Sequence, residues 1–370
     1  MILVLHNRYR TTGGEERAVD DLTWLAREHL HEEVELIERD SATLGRARAA
    51  VAMLRGGLEP EDVAAAVRRT GARVVHAHNL NPAFGWRALA AAREAGARTI
   101  LHLHNYRLVC AVGTCFTRGE DCTRCHGPNT APGVVLACRG QRVEATVYGA
   151  GLALHQRRLA AQVDRFLVPS TFALERLRQL GAPIGGRATV VPHVVRALAE
   201  ESRAGEGTYA LLATRLAPEK GIETALDACA AAAVPLVVCG DGPLSGELRE
   251  RSGGGDVRFT GAITPAELDE LRRGAALAIV PSRSAETFGL AAAEAMAAGV
   301  PVVASRIGAL PEIVAPENLV PPGDVAALAA AITRCYGDTS EGRRGLGHIR
   351  ERCAPAIVAE RLRAVYGEAR

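Results

Sequence analysis

Two cations in one short loop could bind a diphosphate. In 209-YALLATRLAPEKG-221, Arg215 and Lys220 stand five residues apart behind an apolar run. A guanidinium can bind two phosphate oxygens at once, and an ammonium is a compact charge that a guanidinium does not replace. Lys220 is the only lysine among 44 basic residues, which favours a specific role for it. The pair could neutralise a departing phosphate without a metal ion, although two solvated loop charges would leave the same pattern.

Two carboxylates flank an expected helix start in 282-SRSAETFGLAAAEAMAAG-299. Glu286 lies in the loop, and Glu294 lies about one and a half turns inside the helix. Unpaired N–H groups and the positive end of the helix dipole suit a phosphate near Phe288 and Gly289. Glu286 could then reach hydroxyls attached to that phosphate, and Glu294 could accept two hydrogen bonds from a ribose diol. Solvated surface charges are the alternative for both carboxylates.

Other strand ends add weaker signals. Asp241 lies in a glycine-bearing turn of a common type, and Gly13 and Gly14 would let a phosphate or sugar approach the backbone before a helix. The latter pair lacks the G-x-G-x-x-G pattern, so a dehydrogenase is not supported. His104 ends an apolar run and could bind a sugar hydroxyl or shuttle a proton, whereas His102 better fits a satisfied core histidine. No Asp-x-Asp pair occurs, so the usual carboxylates that hold a divalent cation on a nucleotide are absent.

The elements that position these residues alternate between short apolar runs and longer helical patterns. Strands are predicted at 1–6, 34–38, 73–78, 98–104, 165–170, 188–192, 209–214, 235–240, 257–261, 277–282 and 301–305. This alternation is typical of βαβ units and parallel sheets, whose ligands bind at the carboxyl ends of the strands. The sequence therefore predicts an α/β protein with two Rossmann-like, doubly wound parallel-sheet domains that face each other across a cleft.

Composition narrows the class of protein. A net charge of +2 and an aromatic content of 4% argue against nucleic-acid binding. No apolar run is long enough to cross a membrane, and 1–6 has the pattern of a strand and not of a signal peptide. We therefore expect a cytoplasmic protein. The apolar and basic segments 45–57 and 142–164 could lie on the inner membrane face, although burial against the first sheet is favoured. The sequence gives no oligomeric state.

Taken together, these motifs resemble the family-4 glycosyltransferases. The E-x7-E pattern of Glu286 and Glu294 stands with the R-x4-K pattern of 215–220, Gly13-Gly14 follows the first strand, and HNYR occupies 104–107. The resemblance covers essentially the whole chain. It implies the two-domain fold called GT-B and transfer of a sugar from a nucleotide-sugar donor with retention of configuration and no catalytic metal. A UDP- or GDP-linked sugar and a carbohydrate or lipid-linked acceptor are the implied substrates.

The resemblance also implies roles for single residues. Arg215 and Lys220 would bind the donor diphosphate, Glu286 the donor sugar and Glu294 the ribose, with His104 near the transferred sugar. Backbone contacts and neighbouring turns would come from a second set: Gly13, Gly14, Asp241, Gly261, Ile263, Phe288, Gly289 and Leu290. Many relatives have Asp where this chain has Asn105, and Asn-Gly where it has His193-Val194.

The implied domains are an acceptor domain at 1–195 with an insertion at 106–140, and a donor domain at 207–340. Helices at 341–370 would cross back to the first domain. Helical patterns are predicted at 323–336 and near 354–369. The turn at 261–263 would border the nucleobase.

Five cysteines form the pattern C-x4-C-x6-C-x2-C-x12-C between 110 and 138. A C-x2-C pair with two further cysteines fits a tetrahedral, structural zinc site in a reducing compartment. The favoured ligands are Cys110, Cys122, Cys125 and Cys138, with Cys115 spare and His126 a weaker candidate. Unliganded cysteines and a redox switch are the alternatives. The segment resembles a cysteine-rich insertion found in a subgroup of the family.

Two other functions share these features. A nucleotide-sugar 2-epimerase has the same architecture, although the joint E-x7-E and R-x4-K patterns favour transfer. A non-catalytic nucleotide-sugar-binding protein would use the cysteine block for docking, but candidate phosphate and sugar groups are all present. Nucleotide release that depends on an acceptor distinguishes a transferase from both.

Overall fold

The computed structural model describes residues 1–9, 13–253 and 256–367, which divide into two compact units. The first unit comprises Met1–Thr117, Cys122–Val194 and the chain from Pro355 onward. The second comprises Arg118–Asp121 and Val195–Ala354. The first unit therefore contains a segment that follows the second in sequence.

Each unit has one six-stranded parallel sheet. The strands are β1 (Ile2–Arg8), β2 (Val34–Asp40), β3 (Val74–Ala77), β4 (Arg98–His102), β5 (Phe116–Thr117), β6 (Glu120–Asp121), β7 (Arg165–Val168), β8 (Ala188–Val190), β9 (Tyr209–Ala213), β10 (Leu236–Cys239), β11 (Val257–Gly261), β12 (Ala275–Val280), β13 (Val302–Ser305) and β14 (Leu319–Val320). The first sheet has the order β2-β1-β3-β4-β7-β8 and the second the order β11-β10-β9-β12-β13-β14. Strands β5 and β6 form a separate pair.

The order of each sheet reverses at one point, where a crevice forms at the carboxyl ends of the strands. In the first sheet the reversal lies between β1 and β3, and in the second between β9 and β12. The loops that follow these four strands are therefore the places where a ligand is expected.

Helices connect the strands and cover both sheets. They are α1 (Gly14–Glu28), α2 (Arg46–Arg55), α3 (Pro60–Thr70), α4 (Gly85–Glu94), α5 (Ala131–Val135), α6 (Arg142–Ala161), α7 (Thr171–Gln179), α8 (Ile222–Ala231), α9 (Ser245–Arg251), α10 (Pro265–Arg273), α11 (Leu290–Ala297), α12 (Val325–Cys335), α13 (Thr339–Cys353) and α14 (Pro355–Gly367). Local sequence explains several starts. Thr264 and Glu267 form the predicted capping box of α10, and Asp324 caps α12 through the Ala327 N–H. No helix within the described residues meets the length and apolarity that a bilayer crossing requires.

Helix α14 completes the core of the first unit. Its buried residues Val358, Leu362 and Val365 pack with Val19 and Leu25 of α1 and with the near face of the first sheet. The Arg98 guanidinium on β4 donates to the Val365 carbonyl at 2.5 Å. The opposite face of the first sheet packs in a separate core with α3, α4 and α7.

The C-terminal segment differs from the prediction in two respects. Residues 339–353 form α13, for which the sequence analysis gave no separate bounds within its helical segment 341–370, and it belongs to the second unit, where it packs on α11. The predicted segment 341–370 is therefore divided between the units, and its later helix lies in the first. Gly342 explains this packing, because a Cβ there would lie 2.2 Å from the Gly299 carbonyl oxygen.

Candidate functional site

A lysine–glutamate pair occupies the crevice of the second sheet. Lys220 follows β9 and Glu286 follows β12, the two strands between which the order reverses. The Lys220 ammonium donates to Glu286 Oε1 at 2.6 Å, and the Ser282 hydroxyl donates to the same oxygen at 2.7 Å. The two side chains are 24% and 19% exposed, so both lie at the surface edge of the core. A cation and an acid predicted from separate motifs therefore meet at one point.

The ionisation of Glu286 follows from its partners. Burial raises the pKa of this carboxyl, but the Lys220 ammonium and the Ser282 hydroxyl outweigh burial and hold the pKa below its ordinary value. The group is therefore a carboxylate at neutral pH, able to accept hydrogen bonds from ligand hydroxyls.

The loops that carry this pair are held together by backbone contacts. The Arg283 and Ser284 amides donate to the Glu219 carbonyl at 2.9 and 3.2 Å. Gly221 adopts a left-handed φ of 66°, and a Cβ there would lie 2.2 Å from the Pro281 carbonyl oxygen. Glycine is therefore required where the β9 loop crosses the β12 loop.

Arg215 lies on the same loop as Lys220. Its guanidinium pairs with Glu219 and its side chain is 43% exposed. The guanidinium is therefore accessible to solvent, but the Glu219 carboxylate binds it in this structure.

Helix α11 begins two residues later than predicted. Gly289 precedes it with φ 94°, Phe288 is buried in the core, and Leu290 is the first helical residue. A Cβ on Gly289 would lie 2.7 Å from Leu310 Cδ2, so glycine keeps this turn close to its neighbour. Gly308 approaches from the β13 loop, where a Cβ would lie 2.4 Å from the Glu286 amide nitrogen. The two glycines therefore allow the neighbouring segments to approach the start of α11 and the Glu286 backbone closely.

Glu294 lies inside α11 and has a protein partner. It forms an ion pair with Arg272 of α10, whose side chain is 7% exposed and also donates to Asp269 at 2.8 Å. Glu294, which the sequence analysis expected to accept hydrogen bonds from a ribose diol, therefore already compensates a buried guanidinium in this structure.

The remaining residues of the predicted donor set lie on neighbouring loops of the second unit. Asp241 is exposed and accepts from the Gly242 amide at 2.7 Å. Gly261 has φ 73° at the end of β11, and its carbonyl accepts from the Gly240 amide at 2.9 Å. Ile263 is partly buried against the core and precedes the cap of α10. The Asp241 turn contacts the loop that carries Arg215 and Lys220, because the Leu216 amide donates to the Asp241 carbonyl at 3.0 Å.

In the first unit, His104 belongs to a group of stacked imidazoles. It shares a 2.7 Å hydrogen bond between its Nε2 and His78 Nδ1, and its ring stacks on His102 at a centroid distance of 4.2 Å. Asn105 does not orient it, because the Asn105 amide donates to Glu15 at 3.0 Å. His104 Nε2 thus has a histidine as its hydrogen-bond partner.

The full group is larger than the sequence analysis anticipated. It joins residues at the carboxyl ends of β1, β3, β4 and β8, which we call the histidine cluster: His6, His76, His78, His102, His104 and His193. A usable signal was present, because 73-RVVHAH-78 and 98-RTILHLH-104 both show His-x-His, and alternate residues of a strand share one face. What the sequence could not supply is the register, which pairs His76 with Ile100 and so brings the two motifs side by side.

The pocket beside His104 lies entirely within the first unit. Partly buried Glu15 lines one end, where it accepts from the Tyr9 hydroxyl at 2.6 Å, and desolvation raises its pKa. Apolar side chains line much of the remainder: Met53, Leu80, Trp86, Leu101, Leu108, Leu152 and Leu159. The site combines a polar mouth with an apolar wall.

Gly13 and Gly14, which were predicted to let a phosphate or sugar approach the backbone, lie at the start of α1. Gly13 is extended and exposed, and its amide donates to Glu16 Oε2 at 2.8 Å, while Gly14 is the first residue of α1. The Gly13 amide therefore already has an acceptor in the chain.

All five cysteines of the block line one small cavity. Cys110 and Cys115 are in hydrogen-bonding contact, and this neighbour together with nearby backbone amides lowers the pKa of the Cys110 thiol to about 6 despite burial. Cys115, which the sequence analysis left out of the favoured zinc ligands, thus lies next to one of them, Cys110. Among the described residues, the groups of three or more candidate ligands whose atoms lie within 4.8 Å of one another are both made of histidines.

Solved structures of similar fold align with almost the whole chain. Anabaena HepE, crystallised with UDP and glucose, covers 98% of this chain and 98% of its own, with a TM-score of 0.65 and 18% identity. Sucrose-phosphate synthase from Thermosynechococcus elongatus covers 99% and 98%, with a TM-score of 0.69 and 20% identity. At such identities the likeness defines the fold, and the chain is of the GT-B class.

Two family models match the two halves of the chain. The model described as glycosyl transferase 4-like domain matches residues 12–193, and the model described as glycosyl transferases group 1 matches residues 207–338. Together they span most of the sequence, so the protein belongs to the GT4-type family of glycosyltransferases.

Curated relatives agree with this assignment. The MMP alpha-(1->4)-mannosyltransferase of Mycolicibacterium hassiacum is 32% identical over 58% of this chain and 56% of its own length. The GDP-mannose-dependent alpha-(1-6)-phosphatidylinositol dimannoside mannosyltransferase of Mycobacterium tuberculosis is 33% identical over 44% and 46%. The matched region therefore spans about half the length of these relatives.

Proposed function

We propose that the protein is a retaining, metal-independent glycosyltransferase that moves a sugar from a nucleotide-sugar donor to a glycan, glycolipid or natural-product acceptor. The observation that carries this proposal is the Lys220–Glu286 pair at the crevice of the second sheet. A fixed ammonium beside a fixed carboxylate suits a ligand that carries both phosphate and sugar hydroxyls. Relatives that bind UDP or depend on GDP-mannose support a UDP- or GDP-linked donor.

In the proposed complex, the two cations bind the diphosphate of the donor. Lys220 and Arg215 exchange their carboxylate partners for the diphosphate, and the start of α11 from Phe288 to Leu290 contributes backbone N–H groups. Glu286, released from Lys220, accepts from hydroxyls of the donor sugar.

The nucleoside would lie beyond the diphosphate. Glu294 is proposed to hold the ribose, which requires that Arg272 keep Asp269 as its remaining partner. Asp241 and the Gly261–Ile263 turn would border the nucleoside. Gly13 and Gly14 are proposed as further contacts to the donor phosphates.

The reaction needs no protein nucleophile in this scheme. The bond between the anomeric carbon and the leaving phosphate oxygen breaks, and the acceptor oxygen bonds to the same face of the sugar. The acceptor proton passes to the leaving phosphate oxygen. Lys220 and Arg215 stabilise the negative charge that grows on the nucleoside diphosphate.

The acceptor is proposed to enter the pocket beside His104. The polar mouth formed by Glu15, His104 and Asn105 suits hydroxyl groups, and the wall that includes Trp86 and Leu152 suits an apolar portion. This combination supports an acceptor with a sugar or polyol head and a less polar remainder.

A direct assay tests the transferase proposal. Full-length protein is incubated with UDP-glucose and with GDP-mannose, with and without a panel of sugar and lipid-linked acceptors, in EDTA. Acceptor-dependent release of UDP or GDP, with an α-linked product by NMR, is expected. Conversion of the donor sugar to its 2-epimer without acceptor would instead identify an epimerase. Tight donor binding with no turnover over the whole panel would identify a binding protein.

A structural zinc ion in the cysteine block is a further part of the proposal. Thiolates are preferred zinc ligands, the five thiols share one cavity, and Cys110 has a lowered pKa. The favoured set remains Cys110, Cys122, Cys125 and Cys138. Bound zinc would brace the chain after HNYR and supply no chemistry to transfer. Elemental analysis should find zinc in the wild type and less in Cys122→Ser, and equal zinc in both would reject this ligand set.

Location is proposed to be cytoplasmic, with peripheral contact at the inner membrane face. The neighbouring helices α2 and α6 expose Val51, Leu54, Val143 and Leu154, which is consistent with contact with lipid. Sedimentation with anionic vesicles should fall in Leu54→Ser/Leu154→Ser. Equal sedimentation of the variant and the wild type would reject this surface.

A further inference from the structure

The most unusual group outside the donor site is part of the histidine cluster. His76, His78 and His102 lie at the ends of adjacent strands, are at most 4% exposed, and offer ring nitrogens within 4.8 Å of one another. Four of their ring nitrogens have no hydrogen-bond partner within the described part of the chain, namely His76 Nε2, His78 Nε2 and both nitrogens of His102.

Such an arrangement needs a physical explanation. A buried polar group left without a partner costs about 1–3 kcal/mol, and nearly all buried polar groups in proteins therefore have one. One ion bound through one nitrogen of each ring would give three of the four nitrogens a shared partner. An ion or ordered water is the usual partner of this kind.

The chemistry of the rings suits a cation. A neutral imidazole offers one nitrogen lone pair, and it is the form of histidine that binds metal ions.

Hydrogen bonds within the protein fix the orientation of two of the rings. His76 Nδ1 shares a 2.7 Å hydrogen bond with the Tyr366 hydroxyl, and His78 Nδ1 shares one of 2.7 Å with His104 Nε2. Metal-binding histidines commonly use one nitrogen in this way, which fixes the ring and leaves the other for the ion. In both residues the nitrogen that is left is Nε2.

We propose that His76, His78 and His102 bind one divalent transition-metal ion of the class that prefers imidazole, such as Zn²⁺, Co²⁺ or Ni²⁺. Ligand bonds of about 2.0–2.1 Å require the three nitrogens to close in from their present separations, which tilting of the stacked rings can provide. The Glu16 carboxylate lies 3.8 Å from His6 at the margin of the cluster and supplies nearby negative charge. This inference does not depend on the transferase proposal.

Cobalt titration distinguishes this site from the cysteine block. Metal-depleted full-length protein is titrated with Co²⁺, and Ni²⁺ affinity is measured by calorimetry. An imidazole site gives the visible bands of Co²⁺ without the strong near-ultraviolet band of thiolate ligands. His102→Phe keeps a stacking ring but removes both nitrogens, and His348→Phe in the second unit is the matched control. The double variant Cys122→Ser/Cys125→Ser removes the thiolate contribution.

The expected result is one site without thiolate bands that survives in the cysteine double variant. Its affinity should fall at least about tenfold in His102→Phe and stay unchanged in His348→Phe. If His102→Phe does not fold by circular dichroism, His76→Phe is measured in its place. Wild-type affinity in a folded cluster variant, or no such site in the wild type, would overturn the proposal and leave ordered water as the partner.

Discussion

The strand-end edges of the two units have opposite chemistry. In the first unit the edge is lined by neutral imidazoles that stack on one another, whereas in the second it is lined by the Lys220–Glu286 pair and nearby ion pairs. Both edges belong to parallel sheets of six strands. The same backbone architecture therefore presents different side-chain chemistry at the corresponding edge of each sheet.

The difference suits a division of labour. Ionised groups in the second unit match an anionic diphosphate, and the uncharged edge of the first unit, with its adjoining pocket, matches an acceptor that supplies a hydroxyl.

The largest expected effect comes from removing the ammonium of the charged edge. Lys220→Ala should lower kcat about 10²–10³-fold, because charge on the leaving phosphate loses a fixed donor. Lys220→Arg should recover part of this loss. The control is Arg251→Ala, which breaks an exposed pair with Asp227 in the same unit. Turnover is measured by nucleotide release. Equal rates in the two alanine variants would mean that Lys220 contributes no more to catalysis than an exposed surface charge.

A second prediction concerns the ion pair inside α11. Glu294→Ala should lower the free energy of unfolding by about 2 kcal/mol, because Arg272 stays buried with only part of its hydrogen bonding satisfied. Asp269→Ala removes the more exposed partner and should cost about 0.5 kcal/mol. Urea unfolding measures both. A larger loss in Asp269→Ala would mean that Glu294 is not the principal partner.

The third prediction compares one hydroxyl in each unit. Tyr366→Phe removes the hydrogen bond to buried His76 and should cost about 1 kcal/mol. Tyr209→Phe removes a bond of similar length to the Leu271 carbonyl at a partly exposed position and should cost less. The reverse order in urea unfolding would show that the neutral edge contributes little to the stability of the first unit.

The smallest expected effect is a dependence on pH. The folded pKa of Glu286 lies below its ordinary value of 4.5, so its ionised form stabilises the fold above that pH. The contribution is lost as the pH falls through the folded pKa. The difference in unfolding free energy between wild type and Glu286→Gln should therefore shrink between pH 6 and pH 3. A difference that stays constant would mean that the pair with Lys220 adds no stability.

Much of the fold could be predicted because the strands carry short apolar runs with clear boundaries. Strand β11 matches the prediction at both ends, and most others differ by one or two residues. Helix α13 had no predicted bounds because Gly342, Gly345 and Gly347 lower its helix propensity. Gly342 and Gly345 allow close packing against Gly299 and Met296, whereas Gly347 faces open space. Strand β14 has only two residues and offers no periodic pattern.

The site was only partly predictable for a related reason. Chain motifs identified Lys220 and Glu286 separately, but their contact depends on which strands are neighbours. The partner of Glu294 lies on another helix, and no local pattern points to Arg272. His102 was interpreted as a satisfied core histidine, yet neither of its ring nitrogens has a hydrogen-bond partner in the described chain.

Helix α14 gives the first unit a late folding step. The hydrogen bond between His76 and Tyr366 joins residues 290 positions apart, and the entire second unit lies between them in the sequence. During synthesis, the part of the first sheet that α14 covers therefore stays uncovered until the second unit has been made.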